Sequence, residues 1–136
     1  MDDKKNLKEK TVRGVYDEAR REWFFSAEDV CGFLGETAFP HNYWKDLKRK
    51  LKDKDRRLHM GIARQRLHFS GRAYTADMFD TENVLRLARM LPSKKTQQFN
   101  AWFAGIKQNL RKYSEVYTDS ARICVCFSMG NLQAAV

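Results

Sequence analysis

Residues 41–54 read HNYWKDLKRKLKDK, and a helix drawn through them divides two chemistries between opposite flanks. At roughly 100° per residue, Tyr43, Trp44, Leu47 and Leu51 share one sector, and Lys45, Lys48, Arg49 and Lys52 share a sector on the far side. The first flank belongs to a core; the second belongs to water, phosphate or an acidic partner. Pro40 suits the first turn, because its φ is already fixed near the helical value and its missing N–H would have had no partner there. The helix is therefore predicted to begin near Pro40.

The positive charge is concentrated around this helix. The chain has 136 residues and a formal net charge of +9. Residues 45–66 hold ten Lys/Arg against Asp46, Asp53 and Asp55, a local balance of +7. Such a concentration bears on partners rather than on fold, and its first candidate partner is nucleic acid. The ordinary alternative is a solvated helix face. The run continues through Lys54, Arg56 and Arg57, so Lys45, Lys48, Arg49, Lys52, Arg56 and Arg57 are the candidate phosphate contacts. Each contacted phosphate releases counterion and gives affinity without sequence information. Asn42 and His41 stand at the helix entrance, where Asn can pair with adenine; a local cap or turn bond is the plainer reading. Tyr43 and Trp44 are stacking candidates, but their alignment with Leu47 and Leu51 favours the core.

Outward from this helix the chain alternates short strands and helices. Residues 1–10 are charged and aperiodic and are read as a flexible, dispensable leader. Residues 11–16 and 22–25 are β-branched and aromatic, separated by DEARR, and predict a β-hairpin with Trp23 and Phe25 on one face. Ser26 with Asp29 three residues on starts a short helix over 27–34, carrying Val30, Phe33 and Leu34 and stopped by Gly35 in the left-handed region. From 54 to 66 charge dominates and a loop is expected. Ser70-Gly71 between 67–69 and 72–75 predicts a second hairpin with a two-residue turn; Arg64, Arg66 and Arg72 would share the surface of the helical lysines. Asp80 or Thr81 caps a helix to Leu91 with Val84, Leu87, Ala88 and Leu91 in stripe, Glu82 supporting Arg86, and Pro92 ending it. A last helix over 94–113 aligns Phe99, Trp102, Phe103, Ile106, Leu110 and Tyr113. Residues 123–127 pass for a strand or an apolar tail.

Together these elements predict a small single α+β domain with short β-hairpins and about four helices. With 43% apolar residues, nine Phe, five Tyr and three Trp, the chain can fill one core. No run of about 18 apolar residues would span a bilayer, and MDDKKNLKEK lacks the apolar stretch of a secretory signal; no membrane association and a cytoplasmic location are expected. Three cysteines, two of them at Cys124 and Cys126, form no disulfide framework. A metal site would need His41, His59, His68, Cys31, Cys124 and Cys126 to converge, and Cys-x-Cys lacks common zinc spacing. Asp29, Asp77, Asp80 and Glu82 do not have a spacing that defines a nuclease, and caps or surface charges explain them. No catalytic residue, metal or cofactor is expected.

In order and spacing, four pieces resemble the amino-terminal domain of the BRO family of phage antirepressors and related DNA-binding proteins, nearest the DNA-damage-inducible protein D type. They are VRGVYDEARREWFFSAEDV at 12–30, PHNYWKDLKRKLK at 40–52, DTENVLRLARMLPS at 80–93 and FNAWFAGI at 99–106. The resemblance covers about 11–113, leaving 114–136 as an atypical tail where the family continues with an acidic helix; 55–66 matches loosely. It implies a non-enzymatic regulatory domain that binds DNA, most simply a duplex, in phage or mobile-element regulation or a DNA-damage response. The alternative it leaves open is an interaction module that binds a repressor protein instead.

Overall fold

The computed structural model describes residues 11–35, 37–69, 72–91, 93–116 and 123–128, with the side chains of 68–69, 111–116 and 123–128 outside the description. The first hairpin forms as the alternation predicts: β1 (Thr11–Asp17) pairs antiparallel with β2 (Glu22–Ser26). Trp23 and Phe25 face one side of the sheet and Phe24 the other, each buried in a separate cluster. Ser26 then caps α1 (Ala27–Leu34), its hydroxyl accepting from the Asp29 N–H at 3.2 Å. Gly35 is not left-handed; its φ of −77° and ψ of −10° are helical. Glycine is needed there for space: a Cβ would lie 2.7 Å from the Cys31 carbonyl and 3.1 Å from the Tyr43 ring.

The amphipathic helix is α2 (Pro40–Lys54), with Pro40 in its first turn. It is followed by α3 (Arg56–Met60), a helix where the charged sequence predicts a loop. Asp55 explains the difference, because its carboxylate accepts the Leu58 N–H at 3.0 Å and the Leu58 side chain is fully buried. One cap and one anchor suffice for a turn of helix whose other positions are polar. The chain then enters β3 (Ala63–Phe69), four residues earlier than expected, and returns in β4 (Arg72–Asp80), five residues longer than expected. Phe69 pairs with Arg72; the turn itself, Ser70-Gly71, lies outside the described residues.

Asp80 caps α4 (Thr81–Met90) through the Asn83 N–H at 2.9 Å, and Leu91 is extended; Pro92 lies outside the described residues. Arg86 does not pair with Glu82, donating instead to Asp55 at 3.1 Å. The last helix, α5 (Thr96–Val116), buries Phe99, Trp102, Phe103, Ile106 and Leu110; the Tyr113 side chain lies outside the description. β5 (Ile123–Ser128), from the stretch read as an atypical tail, pairs with β1. The described residues thus form five helices and one antiparallel sheet in the order β3-β4-β2-β1-β5, a small α+β domain.

All five helices contribute to one face of the sheet, where Phe25 meets Phe103 edge-on at 5.0 Å and Trp44 meets Phe79 edge-on at 5.7 Å. The other face is concave. There Val15, Phe24, Leu67 and Met78 form a second buried cluster. Gln65 on β3 reaches across to donate to Asp17 on β1 at 3.1 Å, although two strands separate them in the sheet. Twist therefore curls the sheet until β3 and β5 have Cα atoms within 8 Å, and the inner side chains cover one another.

Candidate nucleic-acid interface

The sorting of side chains around α2 follows the sequence. Trp44 and Leu51 are buried, and Tyr43 and Leu47 pack against the core. The core reading of both aromatics holds: Trp44 is buried and Tyr43 is half-buried against the core, so neither presents a fully exposed ring for stacking. Lys45, Arg49 and Lys52 are exposed, as are Arg56 and Arg57 on α3.

Lys48 behaves differently. It lies at the edge of the basic sector nearest Trp44, and its ammonium donates to Asp77 Oδ2 at 2.9 Å, the same oxygen that accepts the Trp44 indole N–H at 2.9 Å. Arg64 donates to Asp77 Oδ1 at 3.3 Å. Asp77 is thus no surface charge: its side chain is only 11% exposed, and three donors from two elements converge on it. Burial alone would raise its pKa, but hydrogen bonds from Trp44 and Lys48, with the charges of Lys48 and Arg64, outweigh burial and hold the carboxyl below its ordinary value. The cluster fixes α2 against β4 and brings Arg64 onto the surface of the helical lysines.

Of the seven candidate contacts, an open hollow of about 720 Å³ gathers five: Asn42, Lys45, Lys48, Arg49 and Lys52, with Asp46 among them. Arg56 and Arg57 lie beyond it on the next helix. Arg49 pairs with Asp46 one turn back, both groups well exposed, so the pair competes weakly with solvent or phosphate. Lys45, Lys52, Arg56 and Arg57 make no ion pair among the described residues. Asn42 is exposed and forms no cap, since the residue before the helix is Phe39 and no side chain bonds there. His41 does not cap either; its Nδ1 meets Glu28 Oε1 at 2.7 Å.

The remaining candidate chemistry is spent on structure. Asp29 receives Arg13 through Nε at 2.7 Å and Nη2 at 2.9 Å, and the Arg13 backbone N–H at 2.8 Å. Asp80 is a cap. Cys31 is buried, and desolvation pushes its thiol up to about 12, so it supplies no thiolate near neutral pH. Among the described residues no three His, Cys, Asp or Glu side chains gather as a metal site, and the side chains of His68, Cys124 and Cys126 lie outside the description. No described helix is long and apolar enough to cross a membrane.

The carboxylate at 77 is the residue that sequence reasoning undervalued. A signal was present: Asp77 and Phe79 share a strand face, so the carboxylate points towards the helices that cover Phe79, where a buried indole N–H needs an acceptor. No family model, curated protein or solved structure matches the chain.

Proposed function

We propose that this protein is a non-enzymatic, cytoplasmic regulatory domain that binds duplex DNA, holding the phosphate backbone with α2 and α3. The observation that carries the reading is the set Lys45, Lys52, Arg56 and Arg57, exposed and unpaired among the described residues, on helices anchored from behind by Trp44, Leu51 and Leu58. An anchored cationic face brings several charges to a polyanion with little rearrangement of its backbone. The hollow is lined by no aromatic ring among the described residues, which favours a duplex backbone over a single strand that would stack its bases. Arg49 joins when phosphate replaces Asp46, whereas Lys48 serves chiefly to hold the helix. The segment order resembling the BRO amino-terminal domain points the same way, towards antirepressor-like regulation.

The test is a charge reversal at Lys45, Lys52 and Arg56 by Glu, assayed by fluorescence anisotropy with a labelled 30-bp duplex at low salt. Binding by the wild type and at least a hundredfold loss in the variant, with the circular dichroism spectrum retained, supports the reading. Equal binding by both proteins, or none by the wild type, overturns it.

A further inference from the structure

Among the described residues the exposed large hydrophobic side chains are Phe39, 68% exposed, and Met60, 76% exposed. Both adjoin the cationic face: α2 begins one residue after Phe39, and α3 ends at Met60. A single exposed apolar side chain is ordinary on a protein surface. What sets Phe39 apart is its mounting.

The backbone of Phe39 is held on both sides. Its N–H donates to Thr37 Oγ1 at 3.0 Å, and its carbonyl accepts the Tyr43 N–H at 3.1 Å as α2 begins. Pro40, which follows, narrows the conformations open to Phe39. Pro40 also packs on α1 so closely that a Cβ on Gly32 would lie 3.0 Å from the proline Cβ. The phenyl ring is therefore offered to solvent from a rigid seat. Asn42 and Asp46 follow three and seven residues on, so Phe39 heads the helical row that continues into the basic hollow. His41 is occupied by Glu28 of α1, whereas Asn42 is exposed.

Resting on the DNA-binding reading above, we propose that Phe39 is a wedge that enters the minor groove of the duplex held by α2 and α3, slides between two base pairs and kinks the DNA. Apolar side chains used in this way unstack one step and bend the duplex by about 20–90°, the cost being offset when bent DNA meets more of the protein. The cations behind Phe39 supply those further contacts, Lys45 and Lys52 on α2 and Arg56 on α3. Pyrimidine–purine steps, TA among them, deform most readily, so the preferred partner is a duplex that contains such a step. Asn42, next in the row, donates to the acceptor edges that A·T pairs present in that groove. Met60, at the far end of α3, has no such seat and is assigned no part in the kink.

The full chain is titrated onto end-labelled duplexes that contain a central TA step. Energy transfer between the ends reads bending, and permanganate oxidation of thymines reads unstacking. The wild type is expected to raise the transfer and to make the thymine of the TA step reactive. Phe39→Ala keeps every charge and should bind with the same salt slope and an unchanged urea midpoint, while both signals fall to those of free DNA. Phe39→Leu, still an apolar wedge, should retain them, and Met60→Ala should match the wild type. Wild-type binding with neither bending nor thymine reactivity overturns the inference and leaves the phosphate-binding reading intact. Signals that persist in Phe39→Ala overturn it too, as they would if this ring anchored a protein partner instead. No binding of any duplex overturns both readings.

Discussion

Replacing Asp77 by alanine should destabilise the domain by about 2–3 kcal/mol at pH 7. The Trp44 indole is buried and donates at 2.9 Å to a charged acceptor; hydrogen bonds of that kind contribute about 1.5–3 kcal/mol, and alanine leaves the N–H without this acceptor. Lys48 adds less. Its side chain is 35% exposed, so solvent screens the pair, and about 0.5 kcal/mol is a fair figure. Arg64 is more exposed still and contributes little. For a chain of this size the loss corresponds to a fall in Tm of roughly 6–12 °C. Asparagine, which keeps an acceptor for the indole, should lose about half as much. The pH dependence has a definite sign: because the folded carboxyl has the lower pKa, its contribution is present above the unfolded value of about 3.9 and disappears as pH falls through the folded one. Urea denaturation of wild type and variant between pH 7 and pH 2.5 should show a gap that is constant down to about pH 5 and then closes. A gap under about 0.5 kcal/mol at pH 7, or one that persists undiminished at the acid end, would refute the anchoring role.

Gly35→Ala should destabilise the fold by about 1–3 kcal/mol in the same denaturation assay, because the added methyl meets the Cys31 carbonyl and the Tyr43 ring rather than open space. Leu58→Ala should cost about 2–5 kcal/mol, and amide hydrogen exchange should show α3 opening before the rest of the chain, since Leu58 is the buried residue of that helix. Cys31 should resist iodoacetamide at pH 8 in the native protein and react on unfolding, as read by peptide mass spectrometry.

The parts of the fold set by local pattern were legible in the chain. Alternation placed Trp23 and Phe25 on one face, Ser26 and Asp80 appeared as caps, and the period of α5 marked its buried stripe. The misreadings share another cause, dependence on residues far away in sequence. α3 exists because Leu58 finds a core, its Asp55 cap being a local signal masked by the charge run; Arg86 prefers Asp55, 31 residues distant, to Glu82 one turn away. The early start of β3 follows from its pairing with the far end of β4. At the candidate site, the division of α2 into buried and exposed flanks was readable from its period, but the withdrawal of Lys48 from the exposed set was not. That depended on Asp77 arriving from β4.

The most direct test of the whole account is the salt dependence of duplex binding. The four cations unpaired among the described residues, with Arg49, engage five phosphates and predict that log Kobs falls linearly against log[salt] with a slope of about −4.5, and that Lys45→Ala with Lys52→Ala reduces its magnitude by about 1.8. A slope near zero, or one that the paired substitution leaves unchanged, would contradict the claim that this face meets a polyanion.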